Sequence, residues 1–423
     1  MKDKIDYSLY AITDRYWHND ISIYDMVKDA ILGGAGIIQL REKHISDEEF
    51  ITLAIEAKKA CKEYNIPLII NDNINVMLSV DADGIHVGQS DLNAKKVREL
   101  IGPNKILGVS VSNLEEANIA INNGADYLGV GAIFLTNTKD DADLVSIEEL
   151  RNICFNVNIP VVAIGGIHLD TISKLKNTGI SGVAVISEIF SKNDFTMAAK
   201  NLKKEIDKIV LNYNNYDLFV FDYDGTLLDS MNEWAHMCSN FIKSNGLIPT
   251  KTLDKDVAYM NNMEAAKFLF DNYHIGNSLE ECRNLIINYI ETTYKNIKLK
   301  DYAKELLEIL YQKNKEIILL SQTDKSLLNL SLENNKINKY FNKVYSTSEL
   351  NATKSNGTAF IKIKELYPNK RILIIEDALY AIKEALKLNL DVMTILDDSN
   401  KKNTQELLEK SNYYGTLNWM VNI

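Results

Sequence analysis

The feature that most constrains this chain is a recurrence in its first two hundred or so residues. Short apolar runs return at even spacing: "LYAIT", "GIIQL", "PLIIN", "GIHVG", "ILGVS", "YLGVGAIF", "PVVAIGG" and "GVAVIS". Each is followed by a polar or glycine-rich turn, and amphipathic stretches such as "DEEFITLAIEAKKACKEYN" and "NLEEANIAINNGA" separate them. Short apolar runs bounded by turn signals are what strands buried on both faces look like. Helical spacing between them calls for parallel crossovers. Eight such units predict an α/β architecture, a closed (β/α)8 barrel of the TIM type. An open doubly wound sheet has no need of eight units so evenly spaced.

In such a barrel chemistry is done where strands end and loops begin, and polar residues gather there. The second strand runs into Gln39, Arg41, Glu42 and Lys43, and the third into Asn71, Asp72 and Asn73. The fourth ends at Gly88, Gln89, Ser90 and Asp91, and the fifth at Ser110. The sixth leads to "FLTNTK" with Thr136, Thr138 and Lys139, the seventh to Gly165 and Gly166, the eighth to Ile186 and Ser187. Any one of these is more often a solvated loop residue. Seven consecutive strand ends with such groups on one rim are a site. Asp72 and Asp91 are hard oxygen ligands suited to a partly hydrated Mg2+ that bridges to phosphate. Arg41 and Lys43 add positive charge for the same anion. The Gly-Gly pair lets backbone N–H groups approach a second phosphate after strand seven, where this fold usually binds one. Two anionic sites, one with a metal, imply that two phosphorylated molecules are joined.

Composition narrows the partners. The 423 residues carry a formal net charge of −11, which argues against nucleic acid or an anionic membrane as a partner. The start "MKDKIDYSLYAITD" has no apolar targeting core, and no later run approaches membrane-spanning length. Cys61, Cys154, Cys238 and Cys282 show no CxxC spacing, which predicts reduced thiols and a cytoplasmic protein. The six histidines show no zinc-ligand spacing. A homo-oligomer is compatible with the sequence but not specified by it.

The motifs "QLREK", "NDN", "GIHVGQSDL", "GVSVSN", "FLTNTKDDAD" and "VAIGGI", in this order, resemble thiamine phosphate synthase over residues 5–208. The resemblance implies hydroxymethylpyrimidine diphosphate and a thiazole phosphate as substrates, and thiamine phosphate and diphosphate as products. It places Gln39, Arg41, Lys43 and Asn71 on the pyrimidine diphosphate, with Ser110 and Lys139 facing the diphosphate. Asp72 and Asp91 then hold Mg2+, and Thr136, Thr138, Gly166, Ile186 and Ser187 hold the thiazole phosphate. The implied mechanism is dissociative: diphosphate departs, and the thiazole nitrogen captures a pyrimidine-methyl cation. Stabilising a leaving group needs no protein nucleophile. Leu135 stands where the family commonly has proline. The related thiazole tautomerases share the barrel, but "REK", both aspartates and "TNTK" favour the synthase.

A polar and aromatic bridge, Asn212 to Tyr216, leads to a second half, giving expected domains of 1–211 and 212–423. There "LFVFDYDGTLLDS" puts Asp222 and Asp224 at the end of an apolar strand. Residues two apart on extended backbone point the same way, and the Gly225-Thr226 turn offers N–H groups to a phosphate. "KEIILLSQTD" ends a second strand at Ser321, "STSELNATKSNGTAF" supplies Lys354, and "RILIIEDALYAIKEA" ends a third in Glu376-Asp377. In that order these resemble the haloacid dehalogenase-like phosphatases over residues 217–423, a Rossmann-like domain with a helical cap at about 231–299. The branch that looks nearest is the phosphoglucomutase-like one. The resemblance makes Asp222 the nucleophile, Asp224 the general acid and base, and Ser321 and Lys354 the phosphoryl ligands. A second Mg2+ falls to Asp222, the backbone carbonyl of Asp224, and Asp377, with Glu376 outside the immediate ligands. Gln322, Ser355 and Ala378 depart from frequent family residues. In the cap, "MNNMEAAKFLFDNYH" with Trp234 and Tyr259 is a candidate substrate lining. The simplest substrate for this half is thiamine phosphate. Hydrolysis of diphosphate or another phosphate ester stays open, as does a non-catalytic regulatory or dimer-forming module.

Overall fold

Each strand of the first half sends alternate residues to two different cores. The strands are β1 (Leu9–Ile12), β2 (Ile37–Leu40), β3 (Leu68–Asn71), β4 (Gly84–Val87), β5 (Ile106–Val111), β6 (Tyr127–Val130), β7 (Val161–Ile164) and β8 (Gly182–Val185). All neighbours are parallel, and β8 pairs with β1, so the sheet closes as a barrel. Leu9, Ala11, Ile38, Leu40, Leu68 and Ile70 join the outer core under the helices. Tyr10, Ile12, Ile37, Ile69, Ile106, Tyr127 and Val162 fill the interior. This is the period of two that a pleated strand imposes. The computed structural model describes residues 5–18, 20–88, 93–135, 144–257, 260, 262–396 and 398–421.

The helices between strands start where the sequence caps them. Ser46 accepts a hydrogen bond from the Glu49 N–H at 3.2 Å, and Asp47, Glu48 and Glu49 crowd the first turn of helix Asp47–Glu63, where the helix dipole favours negative charge. Ala54, Ala57, Ala60 and Cys61 turn its apolar face inward. The seventh crossover departs from the expected repeat: it carries a short 3-10 turn, Ile172–Leu175, in place of an α-helix. There the His168 N–H donates to Thr171 Oγ1 at 2.8 Å, and that hydroxyl donates back to the His168 carbonyl at 3.0 Å. Such local side-chain bonds compete with a helix.

By packing, the chain divides into Met1–Tyr213 with Asn412–Ile423, and Asn214–Ser411. The last twelve residues thus belong with the barrel. The Trp419 indole donates to the Gly179 carbonyl, the Tyr213 hydroxyl donates to the Met420 carbonyl, and the Tyr414 ring lies 6.2 Å from Phe155. Trp419 and Met420 are buried.

In the second unit the parallel strands β9 (Leu218–Phe221), β10 (Glu316–Ser321), β11 (Lys343–Ser346), β12 (Ile372–Glu376) and β13 (Asp391–Ile395) lie in the order β11-β10-β9-β12-β13. Strand order reverses beside β9, and a crevice opens at such a switch point. Phe221 is level with Leu319 on one side and Ile375 on the other, so Asp222, Ser321 and Glu376 emerge together. Between β9 and β10 lie the helices Met231–Ser244, Leu253–Val257, Asn262–Tyr273 and Leu279–Asn296. Phe241, Ile242, Leu253, Leu269 and Cys282 give them a core of their own.

Candidate active sites

Following the interior face of the barrel to its C-terminal end leads to a cavity. Gln39, Arg41, Asn71, His86, Ser110, Gly165, Gly166, Ile186 and Ser187 line it. Eight of these, all but His86, were singled out in the sequence, and their places at the strand ends bring them together. Gln39 is buried although it sits in an apolar strand, because its Nε2 donates to the Tyr10 hydroxyl at 2.8 Å. That hydroxyl is 2.8 Å from the Tyr127 hydroxyl, which is 2.9 Å from His86 Nδ1, and His86 Nε2 is 2.9 Å from Ser110 Oγ. An amide nitrogen only donates, so a proton order that satisfies every member runs from Gln39 through Tyr10, Tyr127 and His86 to Ser110. Burial pushes the Tyr10 and Tyr127 hydroxyls well above the usual phenol range, so both keep their protons. Sequence reasoning missed Tyr10, Tyr127 and His86. The available signal was parity, since His86 shares the inward face of β4. Gly108 makes room for the pair, because a Cβ there would meet Tyr127 Cζ at 2.1 Å and His86 Nδ1 at 2.4 Å.

Other predicted residues fall elsewhere. Asp72 follows Asn71 with φ of 60° and is exposed. It lines a separate rim hollow with Glu42, Asn71 and Asn73. Lys43 is exposed and outside the cavity lining. Glu42 is engaged by Arg15, whose Nε and Nη2 reach its two oxygens at 2.9 and 3.0 Å, so Arg41 and Lys43 carry the available charge of that motif. Asp91, Thr136, Thr138 and Lys139 lie outside the described residues, as do Gln89, Ser90 and Tyr259.

In the second unit Lys354 Nζ, buried, bonds Asp222 Oδ1 and lies 3.3 Å from Glu376 Oε1. Burial alone would lower the Lys354 ammonium, but the carboxylates of Asp222 and Glu376 raise it overall, so it stays charged. Asp222, Glu376 and Asp377 each offer an oxygen within 4.8 Å of the others. Burial, and then the charge of Asp222, pushes the Asp377 carboxyl up to about 7. Thr226 Oγ1 donates to Asp377 Oδ1 at 2.9 Å. Gly225 has φ of 80°, and a Cβ there would meet Asp377 Oδ2 at 2.4 Å, so the turn needs glycine. The Asp224 carboxylate accepts from Ser230 Oγ at 2.7 Å, Trp234 Nε1 at 3.0 Å, Tyr294 OH at 2.9 Å and Thr323 Oγ1 at 2.7 Å. Ser321 is buried, and its Oγ accepts from the Thr323 N–H at 3.1 Å. Tyr294 and Thr323 were not foreseen, nor was the bond of the Thr226 side chain to Asp377.

Comparison with known proteins bears on each half. The family model described as thiamine monophosphate synthase matches residues 9–189. Thiamine-phosphate synthase of Clostridium beijerinckii is 52% identical over 209 residues, which are 49% of this chain and 100% of that protein. The chain belongs to the thiamine-phosphate synthase family. A solved thiamine phosphate pyrophosphorylase from Pyrococcus furiosus is 37% identical to the synthase half, covering 49% of this chain and 98% of that one with a TM-score of 0.45. Beyond the synthase half, residues 219–395 match the haloacid dehalogenase-like hydrolase model, so the second unit carries a domain of that kind. A haloacid dehalogenase family hydrolase from Deinococcus radiodurans R1, solved with phosphate and sodium, is 15% identical. It covers 48% of this chain and 91% of that one, with a TM-score of 0.37.

Both halves present donors that suit Mg2+. In the hydrolase domain the buried Glu376 and Asp377 and the half-buried Asp222 crowd together beside one ammonium, and Glu376 Oε2 has no hydrogen-bond partner. A divalent cation would relieve that excess of negative charge. On the synthase rim Asp72 and Asn71 share a hollow, and a carboxylate beside an amide oxygen is a hard donor pair. No helix among the described residues is long and apolar enough to cross a membrane.

Proposed function

We propose that the chain is a bifunctional enzyme of thiamine biosynthesis with one catalytic domain per unit. The synthase half couples hydroxymethylpyrimidine diphosphate with thiazole phosphate, releasing thiamine phosphate and diphosphate. Arg41 and Lys43 stabilise charge on the departing diphosphate. Ser110, positioned by its bond to His86 Nε2, faces the same substrate. Asn71 and Gln39 orient the pyrimidine, while Gly166, Ile186 and Ser187, with Thr136 and Thr138, receive the thiazole phosphate. Asp72 and Asp91 would hold Mg2+, which supplies further positive charge to the diphosphate when bound.

The hydrolase half removes the phosphate of thiamine phosphate. Asp222 attacks phosphorus and forms a phosphoaspartate, and Asp224 protonates the leaving oxygen and then deprotonates the hydrolytic water. Lys354 and Ser321 bind the transferring phosphoryl group. Asp222, Asp377 and the Asp224 carbonyl would hold Mg2+, whose chemistry is neutralisation of phosphoryl charge. The observation that carries this reading is the close set of Asp222, Lys354, Glu376 and Asp377, all but Asp222 buried. Joining the two activities raises the local concentration of the first product for the second site.

The two sites are separable by mutation. Asp222→Asn should reduce phosphate release about a thousandfold or more while leaving coupling of the two substrates unchanged. Asp72→Ala should do the reverse, measured as thiamine phosphate formed from the two precursors. Loss of both activities in either folded variant contradicts the two-site reading.

A further inference from the structure

One polar pair in the barrel has no part in the chemistry above. His168 lines the cavity beside Gly165, Gly166, Ile186 and Ser187. Its Nδ1 lies 3.0 Å from Glu188 Oε2, on a side chain that is only 11% exposed. Lys192 Nζ lies 3.5 Å from the same oxygen. The turn that carries His168 is fixed by its exchange of hydrogen bonds with Thr171. A carboxylate only accepts, so Nδ1 of His168 carries a proton, and Nε2 is the nitrogen whose state can change.

We infer that His168, oriented by Glu188, is a specificity-determining contact for the phosphate of the thiazole substrate, and that the two share one proton. This rests on the reading that the Gly166 and Ser187 end of the cavity receives that phosphate. A phosphate monoester loses its second proton near pH 6, and an imidazolium loses its own near pH 6.5. An imidazolium with a dianion and an imidazole with a monoanion therefore give the same hydrogen-bonded complex. When neither partner holds the proton, the Nε2 lone pair faces a dianion and the contact turns repulsive. Lys192 shares the Glu188 carboxylate, and among the described residues Arg41 is the other charged side chain lining this cavity. The diphosphate substrate, held at the Arg41 and Asn71 end, does not depend on this proton.

The test is steady-state kinetics of coupling by the full-length protein with Mg2+, varying each substrate in turn from about pH 6 to about pH 8.5. His168→Asn should raise KM for thiazole phosphate about tenfold at pH 7, the loss of one charge-assisted bond, with KM for the pyrimidine diphosphate unmoved. In the wild type KM for thiazole phosphate should climb as pH rises, and His168→Asn should flatten that climb. Glu188→Gln should raise KM for thiazole phosphate less than His168→Asn does and leave KM for the pyrimidine diphosphate unmoved, a split between substrates that a merely structural role would not produce. Equal changes in both KM values, or an unchanged pH profile, overturn the inference. Ser187→Ala separates the two failures. If it raises KM for thiazole phosphate and His168→Asn does not, the phosphate end stands and the role of His168 falls. If neither does, both fall.

Discussion

At the residue scale the barrel site depends on groups that hold one another in place. Tyr127 OH joins Tyr10 to His86, and through His86 it fixes Ser110. Tyr127→Phe removes one hydrogen bond from each of two buried partners, Tyr10 and His86, and should cost about 1–3 kcal/mol of barrel stability, read by denaturant unfolding. It should also weaken coupling, because Ser110 loses its fixed proton order. A change of less than about 0.5 kcal/mol would mean the chain of bonds contributes little. The hydrolase site shows the opposite economy, with like charges packed together at Asp222, Glu376 and Asp377. Asp377→Asn removes one of them, so the metal-free protein should melt higher. The wild type should gain about 2.7 kcal/mol from Mg2+ at a hundredfold excess over Kd, and the variant should gain much less. Calorimetry with and without chelator distinguishes these outcomes. Equal Mg2+ responses would exclude Asp377 as a ligand.

At the scale of elements, the sequence was legible wherever burial on both faces left a continuous apolar run. All eight barrel strands were read within one to four residues of their ends, as were β9, β10 and β12. The strands β11 and β13 were not read. "KVYS" is partly exposed at a sheet edge, and its pattern is weak. The rim residues were legible as chemistry, but which of them share a cavity depends on inward and outward alternation. Asp72, one residue past the inward-facing Asn71, therefore lines a different hollow from Gln39 and Ser110. His86 and Tyr127 were hidden for the same reason, since polar groups in apolar strands declare themselves only once parity is followed around the barrel. No local pattern marks the return of residues 412–423 to the first unit, because a short helix docks through long-range contacts. Trp419→Ala removes a buried indole and its bond to Gly179, and should cost about 3–5 kcal/mol. The barrel transition should fall by roughly 10 °C. If only the hydrolase transition moved, the tail would belong with the second unit instead.

At the scale of the molecule, one chain carries a thiamine-phosphate synthase half and a haloacid dehalogenase-like hydrolase half, and the proposal is that the second cleaves the phosphate monoester made by the first. The two products of the first reaction, thiamine phosphate and diphosphate, are the two simplest substrates for the second. The measurement that decides between them is phosphate release with Mg2+, offering thiamine phosphate and diphosphate in separate reactions, with Asp222→Asn as the control. Rapid release from thiamine phosphate, lost in Asp222→Asn, with little from diphosphate is the expected result. Release from diphosphate alone would contradict it and make the second half a device that removes the by-product. Release from neither would leave the synthase half standing and show that thiamine phosphate is not the substrate of the second.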